Sequence, residues 1–156
     1  MYSNQGSKNN LNGSEASSWP PGSTSNKDNR DMVLFGYNLY NTALVNIKES
    51  TITSITVQNV GKTIILKTTM MRLFIFFLNR GTDRLISVDE ILKEVWDNYH
   101  LSSSSQRLWQ VLQSLKTKLG TLGIPDDFIV RTEAGGYRVK IEFVIPLYYQ
   151  RKKVSS

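Results

Sequence analysis

His100 is the only histidine in the chain, and cysteine is absent. Those two facts remove most side-chain chemistry. No thiol nucleophile, disulfide or thiolate metal site can form, and one chain cannot supply a two-histidine metal site. A Ser-His-Asp constellation would have to use His100, whose neighbours Asn98, Tyr99, Leu101 and Ser102 read as a solvated loop. Gly61-Lys62-Thr63 resembles the end of a phosphate loop. Thr56, however, stands where that loop needs its first glycine, and the residues after Thr63 read as a strand where a helix must open. Asp126-Asp127 and Asp89-Glu90 are the adjacent acid pairs after residue 31. A nuclease needs carboxylates gathered around metal ions. Both pairs have local roles instead, in a loop and at a helix start. No enzymatic activity, cofactor, metal or small-molecule substrate is expected.

A binding surface is the remaining chemistry. Between about residues 103 and 119 an apolar stripe runs through Leu108, Val111, Leu112, Leu115 and Leu119. Gln106, Gln110, Gln113 and Thr117 fall opposite it on a helical projection, with Arg107, Trp109 and Ser114 at the flanks. Solvated helix faces usually mix Lys with Glu, but no acid occurs from Ser102 to Ile124. Such a helix fits the major groove of duplex DNA, where amide side chains can pair with adenine edges. The charge distribution agrees. The whole chain has a net charge of +6 and a pI near 9.6. Residues 32–102 hold seven Lys or Arg against six acids, and residues 103–156 hold nine against four. The excess positive charge therefore lies where phosphates would be met.

The other elements must position that helix. Residues 1–31 are rich in Ser, Asn and Gly with balanced charges, and are expected to be a disordered tail. Short β-type runs follow at Val33-Leu34-Phe35, Ala43–Ile47, Ile52–Val57 and Lys62–Leu66, spaced as an antiparallel meander with a turn at Val60-Gly61. A helix over Thr68–Asn79 is apolar nearly all round, which marks burial, and Gly81 is placed to stop it. Ser87 and Glu90 form a capping box for a second helix with its stripe at Val88, Ile91, Leu92, Val95 and Trp96. The third helix starts near Ser103 or Ser104, with a candidate box at Ser103 and Gln106, and ends at Gly120. Phe128–Thr132 and Tyr137–Ile141 flank Glu133-Ala134-Gly135-Gly136 as a hairpin.

In this order the elements lay out a winged helix-turn-helix, an α+β fold with a four-stranded N-terminal antiparallel sheet, three helices and a C-terminal hairpin wing. The residues carry a closer likeness. Leu85–Trp96 resembles the second-helix signature of OmpR/PhoB-type DNA-binding domains. Ser114–Gly120 resembles the end of their recognition helix, and Arg131-Thr132 with Gly136-Tyr137-Arg138 resembles their wing. The likeness covers residues 32–141. Without a receiver domain ahead of it, the chain is most similar to the ToxR-like branch of bacterial regulators.

The resemblance implies sequence-specific binding of double-stranded DNA and transcription regulation. It implies DNA contacts from Ser104, Gln106, Arg107, Trp109, Gln110, Gln113, Ser114, Lys116 and Thr117 on the helix. From the wing it implies Arg131, Thr132, Tyr137 and Arg138. It also implies self-association on DNA and contact with RNA polymerase through the loop 97–103. A cytoplasmic, nucleoid-associated protein follows, or the soluble part of an inner-membrane regulator. The wing tip departs from the family pattern in being short and in carrying Glu133, which speaks against its insertion into the minor groove. A protein-interaction adaptor without specific DNA binding is the competing reading, favoured by Trp109, the acidic tip and the apolar run Phe143–Tyr149.

Residues 142–156 read as an apolar and basic extension. Pro146 argues against one continuous strand or helix through it. The segment must be buried on the domain, be buried against a partner chain or lead toward a membrane; it is expected to contribute to pairing on DNA, the alternatives being a folded-back strand or a juxtamembrane stretch.

Overall fold

A computed structural model describes residues 31–80 and 84–152. The expected tail, apart from Asp31, lies outside the described residues, as do the Gly81 helix stop and Lys153. Leu34–Tyr149 form one compact unit, which holds the fold. The described part of a second unit is residues 31–33 and 150–152, where the Arg151 N–H donates to the Asp31 carbonyl at 2.8 Å.

The strands are β1 (Met32–Leu39), β2 (Ala43–Asn46), β3 (Thr51–Ser54) and β4 (Thr63–Ile65). The helices α1 (Thr68–Arg80), α2 (Val88–Val95) and α3 (Ser105–Gly120) follow. Then come β5 (Ile129–Arg131), β6 (Tyr137–Val139) and β7 (Val144–Gln150). The expected four-stranded meander is present, with Leu39 opposite Ala43, Val45 opposite Ile52 and Ile52 opposite Ile64. Alternation along these strands turns Tyr37, Leu39, Ala43, Val45 and Ile52 into the core. Gly36 is required where β1 crosses β2, because a Cβ there would lie 1.6 Å from the Val45 carbonyl oxygen.

The sheet has a fifth strand, which the sequence reading left as the alternative to pairing on DNA. Its order is β4-β3-β2-β1-β7, so the C-terminal apolar run returns to lie beside β1. The Tyr40 N–H donates to the Phe143 carbonyl at 3.0 Å, and the two rings stack 4.7 Å apart. Pro146 sits inside this strand, contrary to the expectation of a break. An edge strand tolerates proline because one row of its N–H groups needs no ladder partner.

α1 lies against the inner face of the sheet and is the hub of the core. Met70, Met71, Leu73, Phe74, Phe77 and Leu78 are buried. Phe74 meets Phe128 edge-on at 6.4 Å, and Phe77 meets Tyr137 at 6.0 Å. Through those two rings the helix holds the hairpin that follows α3. α2 begins as expected: the Ser87 hydroxyl accepts the Glu90 N–H, and Ile91, Val95 and Trp96 are buried.

Candidate nucleic-acid interface

α3 carries the candidate surface. Leu108, Leu112, Leu115 and Leu119 are buried and Val111 is half-buried, so the helix is fixed in rotation by its leucine stripe. That leaves Gln106, Gln110, Gln113 and Thr117 exposed on the opposite side. Arg107 and Ser114 are exposed on one flank, and Trp109, 53% exposed, on the other. Lys116 is half-buried beside the core. The Thr117 hydroxyl donates to the Gln113 carbonyl at 3.0 Å, a bond that takes up its proton but leaves acceptor capacity outward.

α3 starts at the second of the two serines the sequence offers, and its end differs from the expectation. The cap is Ser104, whose hydroxyl accepts the Arg107 N–H at 3.0 Å. Ser103 makes no capping box with Gln106. Its hydroxyl donates to the Asp97 carboxylate at 2.7 Å and so ties the loop before the helix. Ser104 therefore serves the helix backbone with its side chain. At the other end Gly120 is still helical, and the left-handed glycine is Gly123 at φ +88°. The Ile124 N–H returns to the Leu119 carbonyl at 3.1 Å, burying Leu122 and Ile124.

Two supports of α3 were not read from the sequence. Lys62, from the rejected phosphate-loop motif, donates its ammonium to the Thr121 carbonyl at 3.2 Å. A cation there suits the negative end of the helix dipole. Arg72 of α1 places its guanidinium 3.3 Å from the centre of the Tyr99 ring, and also reaches the Val95 carbonyl at 3.4 Å. It thus pins the loop ahead of α3. Each joins residues more than 20 positions apart, so no local pattern signals either.

The hairpin is a short ribbon with Ile129 opposite Val139, Val130 opposite Arg138 and Arg131 opposite Tyr137. Directly opposed residues share a face, so Arg138 and Val130 occupy one face and Arg131 the other. Both arginines are exposed. The structure therefore does not bring them onto a single face.

Tyr137 is 4% exposed, and its ring belongs to the core against Phe77. Its place among the DNA-contacting side chains is corrected on that ground. Its backbone exchanges two hydrogen bonds with Ile86, at 2.8 and 2.9 Å, which anchor the hairpin to the segment before α2. Gly136 permits that approach, since a Cβ there would lie 2.8 Å from the Ile86 oxygen. Thr132 is half-buried and closes the tip, its N–H donating to the Gly136 carbonyl at 2.8 Å.

Two ion pairs brace the surroundings. Arg84 grips Glu90 with two hydrogen bonds, 2.6 and 3.1 Å, and this holds the Glu90 carboxyl below its usual range. The Lys140 ammonium beside Asp127 lowers that carboxyl in the same way. These pairs occupy acids near the hairpin and at the start of α2. Among the described residues no group of three or more acid or histidine side chains could hold a metal ion, and no helix is long and apolar enough to cross a membrane.

No protein-family model matches this sequence, and no curated protein does either. Among solved structures the chain is similar to the DNA-binding domain of E. coli CadC, with a TM-score of 0.59 at 19% sequence identity. The likeness covers 72% of this chain and 96% of that one. The five-stranded sheet, three helices and anchored hairpin, with this likeness, make the chain a winged-helix α+β fold.

Proposed function

We propose that the chain binds double-stranded DNA sequence-specifically and regulates transcription, with α3 in the major groove. The single observation that carries this reading is the outward side of α3. It presents Gln106, Gln110, Gln113 and Thr117 with Arg107 and Ser114 beside them, and no acid on the helix. Gln amides supply a donor and an acceptor at fixed spacing, as adenine requires. Arg138, on the solvent face of the ribbon, and Arg131, exposed at the tip end of the face that packs on the core through Tyr137, suit separate phosphates rather than one shared phosphate. Thr132 would contribute through the backbone geometry of the tip. The similar CadC structure is a DNA-binding domain, which supports the same reading.

The finer assignment is to the OmpR/PhoB type and its ToxR-like branch, resting on the three motifs in order over residues 32–141. It brings with it a non-enzymatic role beside the bacterial nucleoid, and contact with RNA polymerase through the loop 97–103. Arg72, stacked on Tyr99, gives that loop the fixed shape such a contact needs.

The test is duplex binding followed by fluorescence anisotropy between about 50 and about 200 mM salt. Log affinity is expected to fall by roughly 0.9 for each phosphate neutralised per unit of log salt. A flat profile overturns the reading. It would favour an adaptor that uses the exposed Trp109 as an anchor for a protein partner.

A further inference from the structure

α3 carries an aromatic side chain that the packing of the domain does not explain. Trp96, at the end of α2, is 2% exposed and belongs to the core. Trp109 is 53% exposed. Of its neighbours three and four places along the helix, Ser105, Gln106 and Gln113 are polar and exposed, and Leu112 is turned into the core. Among the described residues the Trp109 ring meets no other aromatic ring and no cation. A side chain of this kind has about 150–250 Å² to bury, most of it apolar.

Its surroundings narrow what it can meet. The helix bears no acid, and Lys116 follows seven places on along the same flank. The amides of Gln106, Gln110 and Gln113 stand beside the indole over about 10 Å of helix, at about 1.5 Å per residue. That length matches about three base steps of about 3.4 Å. The floor of the major groove is polar at every base pair apart from one apolar group, the 5-methyl of thymine. In an adenine·thymine pair that methyl lies next to the N6 and N7 edge of adenine, which glutamine amides fit. The amides and the indole therefore point to the same pair.

We propose that Trp109 is a specificity-determining residue that packs on thymine 5-methyl groups, so that α3 selects runs of adenine·thymine pairs. The proposal rests on the DNA reading and names the base pairs that are read. The glutamines supply hydrogen bonds to adenine, and the indole supplies the apolar contact on the complementary strand. No cation stands among Gln106, Gln110, Gln113 and Thr117, so the guanine edge, which arginine or lysine suits best, has no match on this side. Arg107, on the opposite flank from Trp109, is left for phosphate.

The experiment measures binding of the full chain to three alternating duplex polymers: adenine–thymine, adenine–uracil and inosine–cytosine. Uracil pairs as thymine does but lacks the methyl. Inosine–cytosine keeps the minor groove of an adenine·thymine pair and presents the major groove of a guanine·cytosine pair. Wild type should prefer thymine to uracil by about fourfold for each methyl buried, and should bind inosine–cytosine most weakly. Trp109→Ala should bind the thymine and uracil polymers alike, and Trp109→Phe should restore part of the preference. Gln110→Ala should keep the preference for thymine over uracil and narrow the gap to inosine–cytosine. Far-UV circular dichroism should match wild type for all three variants, because both side chains lie outside the core. Equal affinity of wild type for the thymine and uracil polymers overturns the proposal and leaves the DNA reading standing. So does a thymine preference that survives in Trp109→Ala, which would trace to the shape of the duplex. Binding to none of the three polymers overturns the DNA reading, and the proposal with it.

Discussion

Along α3 the outward side chains are amides, hydroxyls and cations, while across the outer face of the five-stranded sheet they are Thr, Asn and exposed Ile and Tyr without a single charge. The two surfaces are built on one core and reached by similar patterning, an apolar side turned in and another side turned out. They differ in what the outward side offers. A surface that meets phosphate gains from every unpaired cation and loses from every acid. A surface without charge offers phosphate neither attraction nor repulsion. Exposure alone would class both as solvent-facing. Charge separates them.

The strongest way to break the comparison is to remove the core on which both surfaces rest. Phe77 is fully buried in α1 and touches the Tyr137 ring of the hairpin. Phe77→Ala is expected to lower stability by about 3–5 kcal/mol. Urea unfolding read by tryptophan fluorescence and by far-UV circular dichroism should give one coincident transition. Two separated transitions would mean that the sheet and the helix-wing half do not share a core.

A sharper division comes from Gln110→Ala. It should weaken binding to a specific duplex by about 1–3 kcal/mol and leave random duplex nearly unchanged. Equal loss on both would move Gln110 from the base edges to the backbone.

The helix cap gives a smaller effect. Ser104→Ala should destabilise the protein by about 1 kcal/mol, because the Arg107 N–H loses its acceptor. Ser103→Ala should cost less, since its hydroxyl meets only a solvent-exposed carboxylate. The reverse ranking in thermal unfolding would return the cap to Ser103.

Acid should act least. Glu90 and Asp127 have lowered native pKa values, caused first by hydrogen bonds from Arg84 and Lys140. Their contribution is complete above the ordinary carboxylate range. It is lost as pH falls below that range and through the native values. Exposed pairs contribute little, so the melting temperature should drop slightly on acidification and by less in Glu90→Gln. Both pairs lie in the helix-wing half.

The helices were legible because their signals are local. The Leu108–Leu119 stripe fixes the rotation of α3, and that rotation decides which residues face outward. Ser87 with Glu90 likewise marks the start of α2 within four residues. The meander was legible from alternation and turn spacing. Less legible was anything set by competition between equivalent local options. Ser103 and Ser104 are adjacent hydroxyls, and the choice between them depends on Asp97 capturing one. Tyr137 stands in a wing motif as a polar-looking aromatic, yet Phe77 and Ile86 draw it into the core. Lys62 and Arg72 act on partners distant in sequence, which no periodicity records.

Composition, charge and periodicity by themselves determined that this chain lacks the side chains for thiol or two-histidine chemistry, that it folds as a meander, three helices and a hairpin, and that one helix turns amides and cations outward. Those properties follow from residue type and from spacings of two and 3.6, which are intrinsic to the backbone. Tertiary structure alone decided that Val144–Gln150 closes the sheet as a fifth strand. An apolar run with a proline fits a partner interface, a membrane approach or an edge strand equally well in sequence. Only the vacant side of β1, brought within hydrogen-bonding reach by the folding of α1 and the hairpin, selects among them.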